Sequence, residues 1–232
     1  MIGLGFVVLS FLLCVTTTMA TTTTCARAGV IWLHGLGDSG AGWTFLQDEL
    51  SSLRHITWKF PNAPNRPVYL AGGQRMPAWF DLKDIPVAPN SVREETLDGI
   101  LDSVATVRAL VQELQAEGIP AERIVIGGFS QGACTAVLAG LLSDAPIAGI
   151  VAFSGWLPHE DFLGSLPTSS HPVLVGHGTS DDKVAYPLGK GLADRLSSLG
   201  HKTTFKTYPG MGHTASMEEI ADLRQWFSTV LP

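Results

Sequence analysis

A chain of 232 residues, 45% hydrophobic and 16% charged, is long enough to bury one substantial core and too apolar to be disordered. Its net charge of −6, with no cluster of Lys and Arg, argues against nucleic acid as a partner. No zinc-type Cys/His spacing and no phosphate-cradling glycine motif occurs, so the chain reads as a globular domain needing neither metal nor cofactor.

The N-terminus stands apart. No charge precedes Arg27, and residues 2–15 form an apolar run too short to span a bilayer but long enough for a signal-peptide core. Residues 1–29 are therefore predicted as an apolar leader with a Thr-rich tail, ahead of a working domain over 30–232. The leader lacks a basic flank, Met19 offers an alternative start, and Cys14, Cys25 and Cys134 are poorly placed for a disulfide framework. These features predict a cytoplasmic location, with secretion as the alternative if residues 1–20 act as a signal peptide.

From Val30 onward, strand and helix patterns alternate. A short strand at 30–33 ends in a Gly-rich loop at 34–42, followed by a helix over about 44–53 and a strand near 56–60. Residues 61–90, rich in Pro and Gly, read as a long structured loop with short strands. The clearest helix follows, with Leu97, Ile100, Leu101, Val104, Val107, Leu110, Val111 and Leu114 on one face and Gly118 and Pro120 ending it. A strand at 124–126, a helix over 131–142, strands at 147–153 and 173–177, a helix over 188–199, a strand at 203–208 and a helix from about Ser216 complete the order. This alternation predicts a mostly parallel, doubly wound sheet with helices on both faces, in which chemistry sits just after strand carboxyl ends.

Three strand ends carry reactive residues. Gly128-Phe129-Ser130-Gln131-Gly132 is a G-x-S-x-G pentapeptide between a strand and a helix, the setting in which a tight turn exposes a serine nucleophile. Asp181 and Asp182 follow the strand at 173–177, and His213 follows the strand at 203–208. Ser, Asp, His is the chain order of α/β-hydrolase triads, with His213 as proton acceptor and a carboxylate orienting it. The pattern alone leaves Asp181 and Asp182 open. The loop His34-Gly35-Leu36-Gly37-Asp38 sits where an oxyanion donor is needed, and the N–H groups of Leu36 and Gln131 are the candidates. His177 reads as a structural hydrogen-bonding residue, and Cys134 as a small buried hydrophobe.

Together with Arg75-Met76-Pro77-Ala78-Trp79-Phe80-Asp81, the segments around Leu36 and Ser130 resemble the acyl-protein thioesterase/lysophospholipase (phospholipase/carboxylesterase) family over nearly the whole chain beyond the leader. The resemblance implies an α/β-hydrolase fold without a cap domain, and hydrolysis of acyl thioesters, lysophospholipids or small acyl esters. A short-chain carboxylesterase or deacetylase and a non-catalytic binding protein are the alternatives. The family's acid lies in an H-G-x-x-D segment, which selects Asp181, and its other functional positions fall on Ser130, His213, Leu36 and Gln131. Implied partners are acylated proteins or small acyl lipids, with peripheral membrane contact and a monomer or weak homodimer. The segments Asp182-Lys183 and Ser154-Gly155-Trp156-Leu157-Pro158 depart from the family near substrate. Met76, Pro77, Trp79, Phe80, Trp156 and Leu157 are expected to line the acyl pocket.

Overall fold

The protein is described by a computed structural model over residues 26–89, 97–158 and 170–232. The strands β1 (Ala28–Leu33), β2 (Ile56–Lys59), β5 (Ile124–Phe129), β6 (Gly149–Phe153), β7 (Pro172–Gly178) and β8 (Lys202–Tyr208) form one sheet in the order β2-β1-β5-β6-β7-β8. Every pairing in it is parallel. A parallel sheet is covered on both faces, which is why β1, β5 and β6 read as continuous apolar runs. Ile31, Leu33, Ile126, Ala152 and Val175 face one core layer with helices α2 (Leu97–Ala116), α3 (Gln131–Leu141) and α4 (Tyr186–Ser198). Val30, Trp32, Val125, Phe153 and Leu174 face the other, with α1 (Phe45–Glu49) and α5 (Met217–Val230).

The chain steps from β1 outward to β2, then returns to the other side of β1 as β5. The carboxyl ends of β1 and β5 thus flank the switch point of the sheet, where such folds form their crevice. Between β2 and α2, strands β3 (Asn65–Val68) and β4 (Gln74–Pro77) pair antiparallel as a separate hairpin.

Most element boundaries fall within one or two residues of the sequence reading. The first strand begins at Ala28, two residues before the expected domain start, because the Ala28 N–H donates to His55 O at 3.0 Å and the strand pairs with β2 from its first residue. The helix expected over 44–53 is only the five residues of α1. In α2, Leu101 leaves the apolar face and is 38% exposed. Gly118, at φ +86°, ends that helix, with Ile119 N–H donating to Leu114 O and Gly118 N–H to Gln115 O. Residues 1–25 of the expected leader, with Cys14 and Cys25, lie outside the described residues. No helix among the described residues is long and apolar enough to cross a membrane.

Helix α5 carries an ionisable group in the core. The Ser216 hydroxyl caps the helix by accepting from the Glu219 N–H at 3.1 Å, yet the Glu219 carboxyl is buried with neither oxygen hydrogen-bonded among the described residues. Burial pushes its pKa up to about 8 despite the Ser216 contact, and the nearby Asp222 adds to the rise. The folded state therefore keeps a proton that the unfolded chain releases near its ordinary value of 4.5, so stability declines as pH rises between these values. Glu219→Gln, which cannot ionise, is expected to melt progressively higher than the parent as pH increases, by up to a few kcal/mol near pH 8. Thermal melts of both proteins across that window check this; a constant difference would contradict it.

Candidate active site

Strand β5 delivers Ser130 onto a turn with φ 55° and ψ −122°, a region that L-residues rarely occupy and that costs about 1–3 kcal/mol. The turn is held from several sides. Ser130 N–H donates to Phe153 O at 2.8 Å, and Ala133 N–H donates back to Ser130 O at 3.0 Å. Gly128 and Gly132 are sterically required: a Cβ at Gly132 would lie 2.2 Å from Leu33 O, and one at Gly128 would lie 2.6 Å from Gly132 C. Gly132→Ala is thus expected to separate the elbow from β1 and cost several kcal/mol of stability. Gly191→Ala, where an added Cβ meets nothing within 4 Å, is the contrasting case and should gain about 0.5–1 kcal/mol of helix propensity. Denaturant unfolding of the two variants measures the contrast.

The loops after β7 and β8 converge on this serine. Gly178 lies against the later loop, where a Cβ would fall 2.1 Å from Met211 O. Thr179 N–H donates to Tyr208 O, Ser180 N–H to Met211 O, and Gly210 N–H to Thr179 Oγ1. So fastened, His213 places Nε2 3.0 Å from Ser130 Oγ and Nδ1 2.8 Å from Asp181 Oδ2. Phe129 packs on the imidazole, with ring centroids 4.7 Å apart. With Asp181 accepting at Nδ1, the proton is assigned there, and Nε2 keeps its lone pair toward the hydroxyl.

The Asp181 side chain is fully buried and saturated with donors. Its Oδ1 accepts from the N–H groups of Lys183 at 2.9 Å and Val184 at 2.8 Å. Burial pushes the carboxyl up, but hydrogen bonds from His177, His213 and Val184, and the charge of His213, outweigh it and hold it well below the usual carboxylate range. Asp182 points into solvent and pairs with Lys183 at 3.2 Å.

The N–H groups of Leu36 and Gln131 have no hydrogen-bond partner among the described residues, and both residues line the same cavity as Ser130 and His213. The loop carrying Leu36 is fixed by His34. That imidazole accepts from Ala63 N–H at Nε2, so Nδ1 carries the proton and donates to Gly35 O at 2.7 Å. Burial lowers the His34 pKa, although the Gly35 hydrogen bond and the charge of Asp38 act the other way. The Gln131 side chain is a second strut that the sequence reading missed: Oε1 accepts from Trp79 N–H and Nε2 donates to Phe80 O.

The cavity over Ser130 measures about 310 Å³. Its apolar wall is built from Leu36, Trp43, Leu82, Ile85, Val87, Phe129, Trp156 and Val184, with Asp38 and Lys183 among its polar lining. Of the expected pocket residues, only Trp156 belongs to it. Trp79 is a buried strut whose indole N–H donates to His34 O at 2.8 Å, and Phe80 packs edge-on against Trp156. Met76 and Pro77 sit on β4 behind the loop, where Pro77 O accepts from Gly37 N–H. Leu157 belongs to the core and borders a different cavity beside Leu188 and Leu192. The Trp79 indole and the backbone of Pro77, Trp79 and Phe80 instead brace the loop that carries Leu36 and the Gln131 side chain beside the elbow. Residues 82–87 replace them, tethered over the site by Val87 N–H to Lys183 O and Ala185 N–H to Val87 O. No pattern in that Pro-containing stretch marks it, although its position directly after Phe80 in the long loop is a usable signal.

No set of three or more His, Cys, Asp or Glu side chains able to hold a metal occurs among the described residues. Cys134 is a buried thiol toward which Trp156 N–H points at 3.5 Å.

A parallel sheet bearing its crevice at the switch point, with serine, aspartate and histidine from the loops after β5, β7 and β8, defines an α/β-hydrolase-fold hydrolase. The chain belongs to the phospholipase/carboxylesterase family, whose model matches residues 17–231. It is 40% identical over 207 residues to acyl-protein thioesterase 1 of Yarrowia lipolytica, covering 86% of this chain and 90% of that one. Acyl-protein thioesterase 1 of Cryptococcus neoformans is 40% identical over 222 residues, covering 88% and 92% respectively. Among solved structures, Arabidopsis thaliana SOBER1 superposes with a TM-score of 0.84 at 33% identity, over 89% of this chain and all of that one. Zea mays acyl-protein thioesterase 2 gives 0.77 at 31% identity, over 90% and 96%.

Proposed function

We propose that this hydrolase cleaves acyl thioesters and esters through a Ser130–His213–Asp181 triad, removing fatty acyl groups from acylated proteins or small acyl lipids. The observation that carries the reading is the 3.0 Å contact between Ser130 Oγ and His213 Nε2 on the wall of a largely apolar cavity. Ser130 Oγ attacks the acyl carbonyl carbon while His213 Nε2 takes its proton. The carbonyl oxygen gains negative charge facing the N–H groups of Leu36 and Gln131. Collapse breaks the bond to the leaving sulfur or oxygen, which departs with the proton from His213. Water then repeats the sequence on the acyl-enzyme, releasing the carboxylic acid and restoring the serine. Asp181 keeps its charge throughout and stabilises the transient imidazolium.

A panel of p-nitrophenyl esters from acetyl to palmitoyl tests the substrate class. Sustained kcat/KM through medium and long chains is expected, and a steep loss beyond butyryl would instead make the protein a short-chain carboxylesterase. Labelling of Ser130 by a fluorophosphonate, lost in Ser130→Ala, tests catalysis against mere binding.

A cytosolic monomer or weak homodimer with only peripheral membrane contact suits lipid-modified substrates of this kind. N-terminal sequencing checks the location, since a start near Met19 is expected and one at Thr21 means secretion. Sedimentation and co-flotation with vesicles check the remainder.

A further inference from the structure

His177 is wholly buried beside the carboxylate that orients the proposed base, and the mechanism above leaves it unused. It lies on β7, four residues before Asp181, with its ring directed toward α4. A Cβ at Gly189 would fall 2.1 Å from His177 Nδ1, so a glycine in α4 makes room for the imidazole, and the edge of Tyr186 packs beside it. Nε2 lies 2.9 Å from Val184 O and 3.3 Å from Asp181 Oδ2, two groups that only accept. Nε2 therefore carries the hydrogen, and Nδ1, which has no partner among the described residues, keeps its lone pair. A doubly protonated ring would leave a charged N–H at Nδ1 buried with nothing to receive it.

We propose that His177 is a positioning residue for the hydrolysis: its Nε2–H, shared between Val184 O and Asp181 Oδ2, holds the Asp181 carboxylate in the orientation that serves His213. This rests on the triad reading above. The backbone N–H groups of Lys183 and Val184 secure Oδ1, whereas Oδ2 has only His177 and His213 among the described residues. Because Val184 donates to Oδ1 and accepts from His177, the ring also closes the turn that presents the carboxylate. Removing the His177 donor leaves more of the Asp181 charge for His213, so the imidazolium is stabilised and the base is harder to free. The other ionisable groups bordering this assembly are Asp182 and Lys183 in the same loop, Tyr186 on α4, Glu219 of α5 against Gly176, and Asp38 across the cavity. All of them are unaltered in the variants used below.

The test is the pH profile of kcat/KM for p-nitrophenyl butyrate in the parent, His177→Leu, His177→Gln and Asp181→Asn. Gln can present an N–H where Nε2 stands, and Leu cannot. His177→Leu is expected to lose about tenfold or more in kcat with little change in KM, and to move the acid limb up by about half a unit. His177→Gln should stay within about threefold of the parent, with its acid limb in place. A folded Leu variant with an unshifted acid limb, or a Gln variant as impaired as Leu, overturns the proposal and leaves the triad standing. An Asp181→Asn variant with parental activity removes the triad reading, and this inference with it. Should the Leu variant not fold, nitrogen NMR of the parent labelled with 15N-histidine decides: the neutral Nε2–H tautomer is expected at His177, and the Nδ1–H tautomer overturns the proposal.

Discussion

Ser130→Ala is expected to lower kcat by about a millionfold while the protein folds as before. The size follows from the absence of a substitute. Ser130 Oγ is the hydroxyl within hydrogen-bond reach of His213 Nε2, and without it the base has no proton to take and the acyl group no covalent way station. Residual hydrolysis of about a thousandfold or more over water should remain, because the N–H groups of Leu36 and Gln131 and the cavity can still stabilise attack by water. The fold should tolerate the change, since the strained turn is held by the Ser130 backbone and by Gly128 and Gly132, not by the hydroxyl. Stopped-flow or prolonged end-point assays with an activated ester, alongside a melting curve, give both numbers. A loss of less than about a hundredfold in a well-folded variant would assign the nucleophile elsewhere.

The second large effect concerns the acid. Asp181→Asn is expected to cost about ten-thousandfold in kcat at neutral pH, whereas Asp182→Asn should change it by less than about twofold. Both oxygens of Asp181 accept hydrogen bonds: Oδ1 from Lys183 and Val184 N–H, Oδ2 from His213. An amide of the same shape must turn its NH2 toward one of these sets of donors. If the amide oxygen keeps the two backbone N–H groups, the NH2 faces His213 Nδ1 and drives the imidazole proton to Nε2. That tautomer has no lone pair for the Ser130 hydroxyl. Asp182 pairs with Lys183 at the surface, where an exposed ion pair contributes little. Comparing kcat for the two variants separates neighbouring carboxylates that differ by one position in the chain; equal losses would contradict the assignment.

Much of the fold was legible because its signals are local. Apolar runs bounded by Gly and Pro mark strands, the spacing of Ile100, Val104, Val107, Val111 and Leu114 marks α2, and a parallel sheet needs the alternation of both. The amphipathic pattern of α1 continues past its end, where Leu50 and Leu53 close the turn with 2.9 Å bonds, so the sequence predicts a longer helix than forms. Ala28 and Gly29 carry little strand preference of their own as small residues; pairing with β2 and β5 brings them into β1.

Composition and motif alone determined the α/β-hydrolase fold class and the strand ends that would carry Ser130, His213 and an aspartate, since a parallel doubly wound sheet brings strand carboxyl ends to one edge wherever they fall in the chain. The pattern could not choose between Asp181 and Asp182, because both follow the same strand and the choice depends on which side chain turns inward. Nor could it assign the pocket. Trp79 and Phe80 resemble ligand-facing aromatics in sequence, yet Gln131 and His34 use the backbone and indole of that segment to brace the loop that carries Leu36. The wall comes instead from Leu82, Ile85, Val87 and Val184, joined where residue 87 bridges residue 184. Contacts between segments about a hundred residues apart leave no local periodicity, so only the tertiary structure decided what lines the cavity over Ser130.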